Sequence, residues 1–413
     1  MLHRIAGDLH IEGVSLQEIA AQYGTPTYVY SESAIRRAYN DFDTSLAGHP
    51  HTICYAVKAN SNIAILQMLA ELGAGFDIVS GGELRRVLTA GGTAEKVVFS
   101  GVGKQDWEIE LALEAGIGCF NVESGSELKR ISRIAAASNA VAPVSVRVNP
   151  DVDPKTHAYI STGLKKNKFG VSADEARTLY RVAAKNPNLD ITGIDCHIGS
   201  QITDLAPYLD ALARLLTLVK ALESDGISVQ HLDLGGGIGV RYRKEEPINL
   251  SDFAAAIGQA MSGHSQELVF EPGRLIVANA GLLLTRVNTL KQNDYKRFAV
   301  VDAAMNDLIR PSLYDAWQAV IPISTSAKPS SRWDIVGPVC ETGDFLAKDR
   351  ELALEEDDLL AILSAGAYGF VMSSNYNSRV RAPEILVNGD EHTCIRRRET
   401  IEDQLALESL LDR

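Results

Sequence analysis

Between about residues 50 and 275, short apolar runs alternate with longer segments of helical period. The apolar runs are rich in Val, Ile, Phe and Cys, and they cover 52–57, 75–79, 97–100, 119–122, 144–148, 193–197, 231–234 and 267–270. The segments between them with helical period cover 63–72, 83–90, 107–115, 125–138, 173–185, 207–225 and 251–261. Eight strands alternating with helices predict a (β/α)8 barrel, because the rival arrangement, a doubly wound sheet, seldom needs eight such units.

The pattern changes after residue 274. Strand-like runs at 279–290, 297–301, 332–336, 358–362 and 384–387 are separated by turns, with few long helical patterns. Residues 28–30 end the N-terminal stretch and could add a strand to this second region. We therefore predict a segment at 1–30 that contributes to a β domain, a barrel at 31–280, and a mostly β domain at 281–413.

Composition limits the classes of partner. A hydrophobic content of 46% with 23% charged residues is typical of a soluble globular protein. The net charge of -13 argues against nucleic acid, and the one dense basic run, 396–398, is followed by Glu399 and predicts a solvated turn. No apolar stretch approaches eighteen residues, so we expect no membrane span.

The N-terminal residues and the cysteines predict a cytoplasmic location. Residues 1–10 carry Arg4 and Asp8 and lack an apolar signal-peptide core, so we do not expect secretion. Five cysteines, at 54, 119, 196, 340 and 394, show no C-x-x-C spacing, which suits a reducing compartment.

Polar residues concentrate where the predicted barrel strands end. An active site in such a barrel lies at the carboxyl ends of its strands. These ends carry Lys58, Asp77, Ser100, Asn121, Arg147, Asn149, His197, the glycines 235–237, Glu271 and Arg274. A barrel that needed only stability would not require so many charged or hydrogen-bonding groups there, so we predict a polar site.

Lys58 directly follows a buried strand, in the run Tyr-Ala-Val-Lys-Ala-Asn. Partial desolvation at such a position lowers the pKa of the amine and favours Schiff-base chemistry. The alternative is a solvated lysine in the strand–helix turn, which is the more frequent role of a lone lysine.

Two loops could bind phosphate. Glycines 235–237 let backbone N–H groups approach an anion, although such a run can also be a simple tight turn and lacks the Walker and dinucleotide spacings. Glu271, Pro272, Gly273 and Arg274 form the second loop, whose carboxylate could pair with the protonated nitrogen of a pyridine ring.

His197 could stack on a flat cofactor, with the hydroxyl of Ser200 on its phosphate, but a lone histidine at a strand end is more often structural. None of the nine histidines shows i, i+4 spacing, so no metal site is expected.

Together these motifs resemble those of the fold-type III pyridoxal-phosphate decarboxylases, in particular the members that act on diaminopimelate. The matching segments are 55–60, 197–200, 235–237 and 271–274, and they occur in the family's order along nearly the whole chain. The resemblance implies an alanine-racemase-like barrel joined to a β domain, and a homodimer with shared active sites.

The resemblance also implies roles for the barrel residues. Lys58 would be joined to pyridoxal 5'-phosphate and His197 would stack on its ring. Glu271 would face the ring nitrogen. The phosphate would be held by Ser200, Gly236, Gly237, Gly273 and Arg274, with Asp77 and Arg147 supporting the cofactor from neighbouring strands.

In the β domain, the segment around Cys340 resembles a motif that the family donates to the partner subunit's site, where the thiol would help to protonate the carbanionic intermediate. An isolated cysteine is more often an inert apolar residue, but polar neighbours indicate that this one is exposed. Tyr368 would touch cofactor and substrate, and Glu341 the distal ammonium. Arg274, Arg310 and Tyr314 would grip the distal carboxylate of meso-diaminopimelate, giving L-lysine and carbon dioxide.

Some alternatives stay open. A surface ion pair would also account for Arg310, and a plain surface loop for 163–170, which resembles the family's mobile loop near the active site. A decarboxylase for ornithine, arginine or another amine with a carboxylate tail shares the fold, as does an alanine racemase. A cofactor-free regulatory homologue is a further class, but it would be expected to have lost Lys58 or the phosphate loops.

Overall fold

The computed structural model describes residues 1–152 and 167–411. Contacts divide the chain into two compact units. The barrel unit comprises Ala38–Arg241 and Glu245–Leu275, and the β unit comprises Met1–Arg37, Tyr242–Lys244 and Ile276–Arg413. The domain boundaries expected at 30/31 and 280/281 stay a prediction, because a contact-based division does not mark where independently folding domains begin.

The N-terminal elements are four short strands and two helices: β1 Leu2–Ile5, β2 Asp8–Ile11, β3 Val14–Ser15, α1 Leu16–Tyr23, β4 Thr27–Ser31 and α2 Glu32–Ser45. Strands β1 to β3 form a small antiparallel sheet. Ser15 is the N-cap of α1, and its side chain accepts a hydrogen bond from the backbone N–H of Gln17.

Eight strands within the described residues close into a parallel barrel in sequence order. They are β5 His51–Ala56, β6 Gly75–Ile78, β7 Val97–Phe99, β8 Cys119–Val122, β9 Ala142–Arg147, β10 Leu189–Asp195, β11 His231–Asp233 and β12 Glu267–Phe270. Each overlaps one predicted apolar run, so the predicted (β/α)8 barrel is confirmed. Strand β10 begins at Leu189, four residues before the predicted run at 193–197. Asp190 faces solvent and a bulge lies between Ile191 and Gly193, so this first part of the strand is not an apolar run.

Helices follow the barrel strands: α3 Ile63–Glu71, α4 Gly81–Thr89, α5 Asp106–Ala115, α6 Gly125–Ala137, α7 Ala173–Ala183, α8 Ala206–Ser224, α9 Leu250–Ala260 and the short α10 Arg274–Val277. Several have an N-cap residue whose side chain accepts a backbone N–H of the first turn, namely Ser80, Ser124, Ser172 and Asn249. No helix within residues 1–152 and 167–411 is long and apolar enough to cross a membrane.

The remaining elements belong to the β unit: β13 Gly281–Gln292, β14 Arg297–Val301, α11 Arg310–Tyr314, β15 Val320–Pro322, β16 Ser331–Val336, β17 Phe345–Leu352, β18 Leu359–Ile362, β19 Glu384–Asn388, β20 Glu391–Arg396 and α12 Ile401–Leu405. The sheet runs β17-β16-β14-β13-β4-β19-β20, and β18 pairs with β13 and β15. Strand β4 lies antiparallel to β13 and parallel to β19. The core on this sheet includes Ile11, Leu16, Val29, Leu284 and Ile385.

Three strands of this sheet escaped prediction: the short β15, and two others that share a common reason. Strands β17 and β20 lie at the two ends of the strand order, and both carry many charged or exposed residues. Edge strands need few apolar side chains, because only one edge of each is paired.

The basic run at 396–398 is not the solvated turn that its composition predicts. Arg396 ends β20 and pairs with the buried carboxylate of Glu384 at 2.7 Å. Arg398 donates to the carbonyl oxygens of Tyr23 and Pro26 at 3.0 and 2.9 Å. Buried oxygen acceptors therefore draw two of the three guanidinium groups inward.

Candidate active site

Lys58 lies in a single 3-10 turn, Val57–Ala59, directly after β5. Its amine forms an ion pair with Asp77, the third residue of the neighbouring strand β6. Asp77 is fully buried, whereas the Lys58 side chain keeps 35% of its surface exposed. The carboxylate therefore holds in place an amine that a ligand can still reach.

The glycine run after β11 forms a backbone cradle. A Cβ atom on Gly236 would lie 2.0 Å from the carbonyl oxygen of Glu271, and one on Gly237 would lie 2.2 Å from that of Gly199. Gly235 and Gly237 adopt positive φ, and the N–H of Gly235 donates to Asp233 at 2.8 Å. Glycine is required here by close approach as well as by conformation, so the run is more than a simple turn.

The loop from Glu271 to Arg274 packs against the turn that carries Lys58. The backbone N–H of Ala56 donates to the carbonyl oxygen of Pro272 at 3.1 Å. A Cβ on Gly273 would lie 2.8 Å from the Cβ of Ala59, so the two loops nearly touch. Arg274 is buried and donates to the hydroxyl of Ser200 at 3.2 Å.

Glu271 lies in a buried cluster of acids. Its carboxylate, that of Asp195 and that of Asp233 offer oxygens that all lie within 4.8 Å of one another. Burial raises the pKa of Glu271 well above its usual value, and Asp233, Asp77 and Asp195 add to the rise. Burial likewise raises the pKa of Asp233 to about 7. A cationic group placed against this cluster would be strongly stabilised.

Arg147 is a buried guanidinium at the end of β9. It donates to Glu123 at 3.0 Å and lies 3.8 Å from Asp195. These carboxylates raise its pKa against the opposing effect of burial, so the group stays charged. Its guanidinium also lies 4.8 Å from the ring centre of Phe169. Arg147 thus adds a fixed positive charge to the barrel unit.

His197 follows β10, and its Nδ1 accepts the backbone N–H of Gly236 at 3.1 Å. Burial lowers the pKa of the imidazole well below its usual value, and the charges of Arg147 and Lys58 lower it further. The Nδ1 that accepts this hydrogen bond carries no proton, and the lowered pKa favours the neutral ring. It is held against the glycine run, where a flat ligand could stack on it.

In the β unit, Arg310 begins α11 and is buried, with its guanidinium 4.7 Å from the ring centre of Tyr242. Tyr314 ends the same helix. The hydroxyl of Ser312 donates to the carbonyl oxygen of Gly343 at 2.7 Å. This bond ties α11 to the loop that carries Cys340 and Glu341.

Cys340 and Glu341 are both exposed in that loop. Asn377 accepts the backbone N–H of Cys340 at 2.9 Å, and the phenol of Tyr376 hydrogen-bonds to Glu341, which raises the pKa of Tyr376. Tyr368 is partly buried and has a φ of 54°, a strained value for a residue with a side chain.

The barrel unit thus brings together Lys58, Asp77, Arg147, His197, Ser200, Gly236, Gly237, Glu271, Gly273 and Arg274. The β unit brings together Arg310, Tyr314, Cys340 and Glu341. The functional role of each residue stays a prediction.

Sequence reasoning overlooked three buried acids, Glu123, Asp195 and Asp233. The available signal was a charged residue at or next to the end of an otherwise apolar strand. Of the predicted mobile loop at 163–170, residues 163–166 lie outside the described residues.

A barrel whose strand ends present an accessible amine beside a carboxylate, a glycine cradle and a second buried carboxylate defines a pyridoxal-phosphate enzyme. Comparison with known proteins agrees. Residues 32–278 match the family model described as pyridoxal-dependent decarboxylase, pyridoxal binding domain.

Curated diaminopimelate decarboxylases are similar over nearly the full length. The Pseudomonas aeruginosa protein is 60% identical, with 98% of this chain and 97% of the relative covered. The Vibrio cholerae protein is 56% identical with the same coverage. A crystal structure of diaminopimelate decarboxylase from Helicobacter pylori, complexed with L-lysine, matches with a TM-score of 0.92 at 45% identity and covers 95% of this chain and 98% of that one. The chain belongs to the diaminopimelate decarboxylase family.

The geometry of the cradle predicts that Gly236→Ala weakens binding of pyridoxal 5'-phosphate by about tenfold or more, because the added methyl group displaces the backbone of Glu271. Absorbance titration of the apoprotein measures this. Gly258→Ala in α9 is the matched control, since a Cβ there meets nothing within 4 Å, and it should leave the affinity unchanged. Equal affinities for both variants would contradict the assignment of the cradle.

Proposed function

We propose that this protein decarboxylates meso-2,6-diaminopimelate to L-lysine and carbon dioxide with pyridoxal 5'-phosphate as cofactor. The observation that carries the proposal is the convergence of Lys58, the glycine cradle and Glu271 on one barrel. The chain that carries them is 60% identical to a curated diaminopimelate decarboxylase. Production of lysine and carbon dioxide by the purified protein with the cofactor and meso-diaminopimelate is the direct test.

The barrel residues fit the cofactor. When bound, pyridoxal phosphate supplies an aldehyde for an amine and a protonated ring that takes up the electron pair left by departing carbon dioxide. The cradle at Gly236 and Gly237, with Ser200 and Arg274, would hold the phosphate, because backbone N–H groups and a guanidinium are its preferred partners.

Asp77 and Lys58 act as a pair. Asp77 accepts from the amine of Lys58, so the ion pair keeps the nitrogen near the end of β6. This places the nucleophile for the cofactor and gives Lys58 a nearby acceptor for its proton. His197, neutral and held by Gly236, adds a flat face without adding charge.

Glu271 would face the ring nitrogen. The carboxylates that raise its pKa also make the surroundings electronegative, so a protonated ring nitrogen beside Glu271 would be stabilised. Lys58 and Arg147 lie on the same barrel and balance part of this charge.

The substrate residues are proposed from the β unit and from Arg274. A guanidinium binds a carboxylate with two parallel hydrogen bonds, which suits Arg274 and Arg310 to the distal carboxylate, with Tyr314 as a further donor. Glu341 would accept the distal ammonium. Tyr368 would contact both cofactor and substrate.

Cys340 would give a proton from its exposed Sγ to the carbon that loses the carboxylate. We propose that Cys340 and Glu341 act in the active site of a second copy of the chain, so that the working protein is a homodimer with shared sites. The exposure of both residues supports this, since neither side chain is enclosed within its own β unit.

Lys58→Ala should lose the long-wavelength absorbance of bound cofactor and turnover together, because it removes the accessible amine that Asp77 holds at the strand ends. Spectra and lysine production are measured on the same sample. Lys185→Ala, at the end of a barrel helix, is the control and should behave as wild type. Turnover by the Lys58→Ala variant would overturn the proposal.

Arg310→Ala should reduce kcat/KM for diaminopimelate by roughly ten- to a hundredfold, the loss expected when a charged hydrogen bond is removed. The effect should appear mainly in KM. Arg332→Ala, whose side chain is 75% exposed, is the matched control and should change neither constant. An Arg310→Ala variant with normal KM would remove the basis for assigning the distal carboxylate.

A shared site can be tested by mixing Lys58→Ala and Cys340→Ala proteins after reversible dissociation. Random pairing would give one intact site in each mixed dimer, and hence about a quarter of wild-type activity. Mixing Lys58→Ala with Gly236→Ala, both barrel changes, should give no activity beyond that contributed by the Gly236→Ala protein itself. Failure of the first mixture to recover activity would refute the shared site.

A further inference from the structure

A line of hydrogen bonds crosses the barrel unit and ends on Glu271. The hydroxyl of Ser145 donates to the Oδ1 of Asn121, whose Nδ2 donates to the Oγ of Ser100 at 3.2 Å. Ser100 in turn donates to the Oε1 of Glu271 at 3.3 Å. We call Ser145, Asn121 and Ser100 the relay. Its members belong to or follow three consecutive strands, β9, β8 and β7, and all are buried.

The direction of the relay follows from its last member. When Glu271 is ionised its carboxylate only accepts hydrogen bonds, and Ser100 donates its proton to Oε1. The oxygen of Ser100 must then accept from Asn121, which turns the amide oxygen of Asn121 toward Ser145. Each hydroxyl and amide thus has one orientation, and all point their donors toward Glu271.

The relay counteracts the burial and the neighbouring charges that raise the pKa of Glu271. Burial and the carboxylates of Asp233, Asp77 and Asp195 raise the pKa of Glu271, and Lys58 lowers it. Arg147 also faces it, since Glu271 contributes to the raised pKa of that guanidinium. A neutral donor that bonds to the ionised form favours that form without adding another charge.

From this geometry we propose that Ser100, oriented by Asn121 and Ser145, is a positioning residue that keeps Glu271 ionised and turned toward the cofactor ring. The proposal rests on the proposed function, because the ring nitrogen is the cation that Glu271 would face. Ser100 bonds to Oε1, and the Glu271 side chain also forms a hydrogen bond with the side chain of Asp233. Ser100 therefore acts through Glu271.

Loss of the relay should change the pH at which the ring nitrogen loses its proton. The relay stabilises ionised Glu271 and, through it, a protonated ring nitrogen. Without the relay the ion pair is weaker, so the ring nitrogen loses its proton at a lower pH. The alkaline midpoint of the bound cofactor's absorbance, and the alkaline limb of kcat, should both move down in Ser100→Ala.

The test uses the holoenzyme and four barrel variants. We expect Ser100→Ala to lower the alkaline absorbance midpoint by about one pH unit and to raise the Kd of pyridoxal 5'-phosphate about fivefold to tenfold. Ser100→Thr keeps the hydroxyl and should restore both values. Asn121→Leu keeps the branched shape of the side chain but breaks the relay, so it should resemble Ser100→Ala, and Ser145→Ala should have a smaller effect.

Ser31→Ala is the matched control. It removes a buried hydroxyl that also donates to a carboxylate, that of Glu12 at 2.5 Å, but in the β unit. It should leave the absorbance midpoint unchanged. An unchanged midpoint in Ser100→Ala, or the same shift in Ser100→Thr or Ser31→Ala, would overturn the relay.

The wild-type protein separates this proposal from the proposed function. If wild type fails to bind the cofactor and to release lysine, the proposed function itself fails. If wild type does both and Ser100→Ala matches it at every pH, only the positioning role is lost. Thermal midpoints of the apoproteins show whether a variant is simply less stable.

Discussion

The site depends on a contact between two stretches of backbone. At Gly236 the chain comes so near to Glu271 that even one methyl group would meet the carbonyl oxygen at 2.0 Å. Parallel closure of the barrel brings β11 and β12 side by side, and glycine lets the loops beyond them touch. As a result the glycine cradle and the residue that carries the buried carboxylate are fixed relative to each other by main chain, which moves less than side chains do.

Charge in the barrel unit is arranged around this contact. Buried carboxylates at Asp77, Asp195, Asp233 and Glu271 would be costly alone, because each loses its hydration. Lys58 and Arg147 offset part of the cost, and neutral donors such as Ser100 offset more. Because the buried carboxylates outnumber these two cations, the site favours a cationic ring. The same charges that are costly for folding therefore favour the protonated cofactor that decarboxylation needs.

Much of the architecture could be predicted because buried parallel strands are continuous apolar runs. Lys58, His197 and Glu271 stood out because each ends such a run. Asp195 and Asp233 did not, since a carboxylate beside a turn looks solvated until the neighbouring strands are known. Strands β17 and β20 were missed because edge strands carry charge. The partnership of Tyr376 with Glu341 joins residues distant in sequence, and no local pattern encodes it.

The place of β4 in the sheet has a consequence for synthesis on the ribosome. Its partners β13 and β19 begin at Gly281 and Glu384, so the nearer one is made about 250 residues after β4 ends at Ser31. At typical translation rates this delay lasts about 12 to 50 s. Throughout that interval the nascent chain carries an apolar strand, Tyr28 to Tyr30, with both edges open. Binding of this segment by a chaperone, or transient pairing with earlier residues, would protect it from neighbouring chains.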